Sequence, residues 1–262
     1  MNDLRLEKVS VQFQLPQQVV HAVDSVDLFC QEGRITGLIG ESGSGKSVLG
    51  MSILGLLPAT AIISGRIYYG DQEILSLSEN EKRKIRGEEI SFIPQSPDKA
   101  FDPLRAVGKQ IAEPLLVQGM KSQVARSRVE ERLEALGFEN PAAIAKSYSF
   151  ELSGGMCQRA LCALGTIRGP KWLIADEPTK GLDAILRKQV VKIFRELRAE
   201  GKSILLITHD LQLAEYLCDD LVVMKEGKIV EQGVSREVFK KPHMEYTRKL
   251  LAARPSQLIR RR

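Results

Sequence analysis

The chain has 262 residues, 43% of them hydrophobic and 27% charged, the composition of an ordinary globular protein with one large domain or two small ones. Its 38 basic residues exceed its 33 acidic ones by a net charge of +5, too small an excess to imply nucleic-acid binding by itself. Cys30, Cys157, Cys162 and Cys218 form no C-x-x-C pair and meet no histidine at a ligand spacing, which argues against a zinc site or a disulfide framework and for buried reduced thiols.

The first seven residues, Met-Asn-Asp-Leu-Arg-Leu-Glu, place charges where a signal peptide needs an apolar core, so the protein is expected not to be secreted. Leu4, Leu6, Val9, Val11 and Phe13 then alternate with polar residues, and Val19, Val20, Ala22, Val23 and Val26 to Phe29 continue in short β-prone runs, which predicts an antiparallel β layer. The compact apolar run Arg34 to Ile39, bounded by Gly33, predicts a buried strand feeding a helix. What joins them is Gly40-Glu41-Ser42-Gly43-Ser44-Gly45-Lys46-Ser47, a complete G-x-x-x-x-G-K-[ST] phosphate loop. Gly40, Gly43 and Gly45 let the backbone aim its amides inward at a helix N-terminus, Lys46 supplies charge to β- and γ-phosphates, and Ser47 can hold magnesium.

The most apolar stretch, Val48 to Leu57, is too short to span a bilayer and predicts the buried helix behind the loop, stopped by Pro58. Strands are expected at Arg66 to Tyr69 and Glu89 to Ile93, the latter ending at Pro94-Gln95. From about 96 to 168 charged helical stretches dominate, with Ser122 placed to cap a helix whose Val129, Leu133 and Leu136 share a face before Gly137 ends it. Trp172 to Asp176 reads as a strand, followed by a helix with Leu186, Val190, Ile193 and Leu197 on one face, closed by Gly201, and a strand over Ser203 to Thr208; this succession predicts a parallel sheet with a right-handed crossover. Arg254, Arg260, Arg261 and Arg262 read as a solvated terminus, the alternative being a contact with an anionic membrane surface.

Three further features carry chemistry. Asp176-Glu177 closes a strand, which lets Asp176 order magnesium while Glu177 reaches an attacking water. Gln95 and His209 each follow a strand, at the sheet edge where a γ-phosphate would lie. Leu152-Ser153-Gly154-Gly155 is a second phosphate-binding signature with no role in a one-site ATPase, which points to a site completed by another molecule. Singly, the acidic pair reads as a solvated turn, the glutamine as polar surface and the histidine as a structural residue; beside a phosphate loop the set reads differently.

The ordered set Gly40 to Ser47, Gln95, Leu152 to Gly155, Asp176-Glu177, Pro178 to Asp183 and His209 resembles the ATP-binding cassette family over almost the whole chain. The resemblance implies an α/β fold: a P-loop NTPase (RecA-like) core with an antiparallel β subdomain and an inserted α-helical subdomain. A single cassette would then span 1–262, with 1–95 and 169–262 forming the core and β subdomain, 96–168 the helical signature subdomain and 240–262 a C-terminal tail. It makes Gly40, Glu41, Ser42, Gly43, Ser44, Gly45, Lys46 and Ser47 the Walker A loop that binds ATP, and Gln95 the Q-loop glutamine. Asp176 and Glu177 become the Walker B pair and His209 the switch histidine, so that Glu177, His209 and Gln95 serve catalysis and Ser47, Gln95 and Asp176 hold Mg2+. Ser153, Gly154 and Gly155 of the signature, with Asp183 of the D-loop, would contact ATP bound by an opposing cassette, because two cassettes of such families sandwich two ATP molecules head to tail. Phe13 is the candidate to stack on adenine as the family's A-loop aromatic, against the alternative of core packing.

Two departures stand out: Met156 replaces the usual glutamine of the signature, as is common in the peptide and nickel importer branch, and the D-loop reads Pro-Thr-Lys-Gly-Leu-Asp, placing Lys180 and Gly181 near the dimer seam. The run Ser153-Gly-Gly-Met-Cys-Gln-Arg159 and the tail Pro242 to Leu251 also resemble that branch. The chain stops at Arg262 with no cysteine group for an iron–sulfur cluster, which looks more like the short nickel-type subunits. The implied partners are a second cassette (itself or a paralogue), transmembrane permease subunits and, through them, an extracytoplasmic substrate-binding protein, with no nucleic acid; the implied place is the cytoplasmic face of the inner membrane, held peripherally. The alternative is a soluble cassette subunit of a non-transport enzyme complex such as phosphonate lyase. A nucleic-acid-associated cassette would bring tandem cassettes, zinc insertions or a long coiled coil, none of which the sequence contains.

Overall fold

The computed structural model describes residues 2–97 and 100–253; the arginines at 254 and 260–262 lie outside them. The chain runs through β1 (Leu4–Leu15), β2 (Gln18–Cys30), β3 (Ile35–Ile39), α1 (Lys46–Ile53), β4 (Ala61–Tyr69), β5 (Gln72–Glu73), α2 (Glu79–Lys84) and β6 (Ile90–Ile93). A helical lobe follows, α3 (Val107–Val117), α4 (Ser122–Ala135), α5 (Pro141–Lys146) and α6 (Gly154–Thr166). The chain then returns through β7 (Trp172–Asp176), α7 (Ala184–Ala199), β8 (Ser203–Ile207), α8 (Leu211–Leu217), β9 (Asp220–Lys225), β10 (Lys228–Val234), α9 (Ser235–Lys240) and α10 (Glu245–Ala252).

The expected antiparallel layer is a four-stranded sheet of order β2-β1-β4-β5. Its buried residues do not keep a strict period of two: Leu6 to Val9 and Val23 to Val26 are each three apart, a spacing that would turn the second residue of each pair to the outer face. Register shifts at these places absorb the extra residue, with Lys8 at φ 48° and Ser25 at φ 49°. Leu4, Leu6, Val9, Val11, Val23 and Val26 are consequently all buried.

The second sheet has the order β10-β9-β3-β8-β7-β6 and is parallel except for β10. Strands β3, β7 and β8 are buried along their whole lengths, because both faces are covered. Ile35, Ile39, Leu173, Ala175, Ile204 and Leu206 face one core, shared with the helical lobe. Leu38, Trp172, Ile174, Leu205 and Ile207 face the other, shared with α1 and the antiparallel sheet. The alternation is the pleat's own period. Among the described residues no helix is long and apolar enough to cross a membrane, and Cys30, Cys157, Cys162 and Cys218 are all buried.

Several expected boundaries move. Helix α1 ends at Ile53, well before Pro58, because Gly55 at φ 61° turns the chain back and the amides of Gly55 and Leu56 return to the carbonyls of Ser52 and Met51. Ser122 is the first residue inside α4 and not its cap, a position taken by Lys121 without a side-chain bond. The strand expected at Arg66 starts at Ala61, where it pairs with Phe13. Val129, Leu133 and Leu136 do share the buried face. Replacing the fully buried Leu133 by alanine leaves a cavity in the helical lobe and should cost about 2–5 kcal/mol of stability; a urea transition displaced by less than about 1 kcal/mol would show that this face is not part of the packed core.

Candidate functional site

The phosphate loop sits at the C-terminal edge of β3, the strand flanked by β8 and β9, where a parallel sheet presents its helix N-termini. The loop is clamped against the antiparallel layer. Gly45 adopts φ 99°, and a Cβ there would stand 2.3 Å from the carbonyl oxygen of Ala22 on β2, so no other residue fits. Lys46, only 7% exposed, curls back into the loop and donates to the carbonyls of Gly40 (2.9 Å) and Glu41 (2.6 Å) and to Ser44 Oγ (3.1 Å). Burial lowers its pKa, opposed by the nearby charges of Glu177, Asp176 and Glu41.

Asp176, the last residue of β7, is 3% exposed and accepts a hydrogen bond from the Ser47 hydroxyl. Burial raises its pKa, opposed by that bond. Its Oδ1 has no hydrogen-bond partner. A buried carboxylate oxygen left open beside a serine hydroxyl suits a hard divalent cation. No cluster of three or more His, Cys, Asp or Glu able to hold a metal occurs among the described residues. Asp176 and Ser47 would fit Mg2+, a cation that takes one or two protein ligands and leaves its other positions to water and phosphate.

Glu177 follows at φ 49°, its amide bonded to the Ile207 carbonyl at 2.9 Å. Its carboxylate accepts from Thr208 Oγ1 (3.2 Å) and the His209 amide (2.8 Å), and His209 Nδ1 lies 2.6 Å from the same Oε1. The ends of β7 and β8 therefore fix this carboxylate from three directions, while the His209 ring stays largely open to solvent. Downstream, Asp210 caps α8 through the amides of Gln212 and Leu213.

These groups line one cleft: Ser42, Gly43, Gly45, Lys46 and Ser47 of the loop, Gln95, Asp176, Glu177 and His209. Gly40, Glu41 and Ser44 lie in the loop's own bonding, as acceptors for Lys46. The cleft also contains Ala22, Val48 and Lys180, which the sequence did not single out for it. Lys180 reaches the cleft through a turn in which its amide donates to the Glu177 carbonyl (3.1 Å), and its charge opposes the rise in the pKa of Asp176. Phe13 is not among the lining residues and packs, partly buried, against the core below the antiparallel sheet. Ser153, Gly154, Gly155 and Asp183 are also absent from the cleft and stand together elsewhere. Ser153 caps α6 through the Met156 amide, Asp183 caps α7, and a Cβ on Gly155 would lie 3.5 Å from Leu182.

Gly45→Ala should abolish nucleotide binding to the isolated protein, because the loop must leave β2 to admit the methyl group. A fluorescent-ATP titration matching wild type would show that the loop tolerates that displacement.

Comparison with known proteins agrees with this geometry. Residues 23–180 match the ABC transporter family. The chain is 39% identical over 256 residues to the oligopeptide transport ATP-binding protein AppD of Bacillus subtilis, covering 96% of this chain and 78% of that protein. It is 38% identical over 234 residues to the metal-staphylopine import system ATP-binding protein CntD of Staphylococcus aureus, covering 88% of this chain and 86% of that one. The dimeric structure of the ATP-binding cassette MJ0796 in a post-hydrolysis state, bound to ADP and Pi, superposes with a TM-score of 0.81 at 26% identity, over 89% of this chain and 99% of that one. With a phosphate loop, an acidic pair and a signature helix assembled on that fold, the chain belongs to the ABC transporter family as one of its ATPase cassettes.

Proposed function

We propose that this chain is the ATP-hydrolysing subunit of an importer of peptides, nickel or metal chelates, working in a pair of cassettes on the cytoplasmic face of the membrane beneath permease subunits served by an extracytoplasmic binding protein. The observation that carries the proposal is the split between two groups of phosphate-binding residues. Lys46, Ser47, Gln95, Asp176, Glu177 and His209 share one cleft, and Ser153 to Gly155 with Asp183 do not line it. A second copy or a paralogue supplies the missing half of each site. The names of the relatives in Bacillus and Staphylococcus support peptide or metal-chelate cargo.

In this mechanism the loop amides and Lys46 bind the β- and γ-phosphates; Ser47, Asp176 and Gln95 would hold Mg2+, which would supply positive charge to neutralise the phosphates. Glu177 orients and polarises the attacking water, and the His209 imidazole, fixed at that carboxylate, faces the γ-phosphate. Ser153 and the amides opening α6 add donors to the γ-phosphate of the opposing cassette, so closure depends on ATP and hydrolysis reverses it.

Glu177→Gln keeps the shape of the site and removes the carboxylate, so it should lower hydrolysis by roughly 10²-fold or more while ATP binding persists. Size-exclusion chromatography should then show a dimer only with ATP, and unchanged turnover would remove Glu177 from the mechanism.

For a contact with the permease the surface residue is Leu104, 85% exposed beside a groove lined by Arg105, Lys109, Leu116, Arg126 and Tyr148, whereas nearby Phe101 is 3% exposed and belongs to the core. A cysteine at Leu104 should cross-link to the permease in native membranes with a yield that changes with nucleotide. Cross-links only to a soluble enzyme would replace the importer by a non-transport complex.

A further inference from the structure

The tail from Pro242 to Leu251 takes no part in the chemistry above, yet it is fastened to the nucleotide half of the molecule at two points. On β10, the buried carboxylate of Glu231 accepts the backbone amides of His243 (2.7 Å) and Met244 (3.1 Å), two donors that the start of α10 would otherwise leave unmet. One turn on, the Tyr246 hydroxyl accepts the amide of Glu41 at 3.3 Å, and the Lys225 ammonium lies 5.3 Å from the centre of the Tyr246 ring. The β9–β10 turn that carries Lys225 reaches the same loop, with the Gly227 amide donating to the Ser44 carbonyl at 3.1 Å.

Glu41 is thereby held at both ends of one residue: its N–H goes to Tyr246 and its carbonyl receives the Lys46 ammonium at 2.6 Å. We propose that Tyr246 is a positioning residue for the phosphate loop, setting the orientation of Glu41 and through it the place from which Lys46 meets phosphate. The proposal rests on Gly40 to Ser47 being the ATP site. It gives α10 the role of a brace whose docking and nucleotide occupancy favour one another, as linkage requires of two events that stabilise the same loop conformation.

Tyr246→Phe tests it with little risk to the fold, since the ring and its packing stay and the freed Glu41 amide, on an exposed residue, turns to water. Full-length wild type, Tyr246→Phe and Lys46→Ala are titrated with a fluorescent ATP analogue and magnesium, and hydrogen exchange is followed through residues 40–44 and 243–252. In Tyr246→Phe the dissociation constant should rise roughly 3- to 10-fold, the worth of one hydrogen bond. The KM for ATP should rise more than kcat falls, the thermal midpoint should stay, and residues 40–44 should exchange faster even without nucleotide. In wild type, nucleotide should slow exchange in 243–252. Wild-type affinity and exchange in Tyr246→Phe, alongside lost binding in Lys46→Ala, would overturn the brace and leave the site standing. Unimpaired binding in Lys46→Ala would overturn the site and the brace with it.

Discussion

The structure turns on a buried ammonium. Lys46 is held in a loop at the end of a dry parallel sheet, with the carboxylates of Asp176 and Glu177 near enough to act on its pKa and two carbonyls and a hydroxyl within hydrogen-bond distance. Taking a charge out of water costs several kcal/mol unless its surroundings repay it. Here they repay it only if the loop keeps its shape, which requires Gly45 against Ala22, the β9–β10 turn against Ser44 and the sheet register that brings β7 beside β8. A triphosphate supplies a far stronger counter-charge than the loop's own carbonyls, so the site is organised for an anion before one arrives.

The helical lobe is tied to that site at one carbonyl. Pro178, immediately after the acidic pair, accepts from Gln158 Nε2 at 3.2 Å and from the Cys162 thiol at 3.6 Å, both on α6. The helix opened by Ser153 is thus joined to the loop that carries Glu177. Arg159, on the same helix, donates to the carbonyls of Leu136 and Gly137 and stacks on Phe138, 4.0 Å from its ring centre, which joins α6 to the end of α4. The start of α6, the helical core and the loop that carries Glu177 are therefore joined through one helix.

Much of this was legible in the sequence, because the chemistry is written in contiguous runs. The phosphate loop, the strand ending in Asp176-Glu177 and the helical face of Val190, Ile193 and Leu197 each declare themselves within a few residues, and all lie where their patterns put them. What stayed hidden depends on contacts distant in sequence or on backbone conformations that residue type does not announce. Lys8 and Ser25 carry positive φ without being glycine, so the two register shifts had no local sign. The stop at Gly55 was masked by the more conspicuous Pro58. Lys180 enters the cleft through a turn, Ala22 through the docking of a whole sheet, and Tyr246 through a helix 205 positions from the amide it meets.

The strand order also has a temporal side. β3, which carries the phosphate loop, is hydrogen-bonded on one edge to β8 and on the other to β9, and the Gly33 amide at its entrance bonds Ser203 Oγ, 170 positions away. A ribosome releases the loop early and its two flanking strands late, so for most of synthesis β3 has two unpaired edges and Lys46 has no dry wall behind it. Pairing of such distant segments is slow and exposes apolar surface while it waits. Capacity to bind nucleotide consequently arrives only when the last third of the chain has joined the sheet, and a truncated product carries the complete phosphate-loop motif without the site that the motif describes.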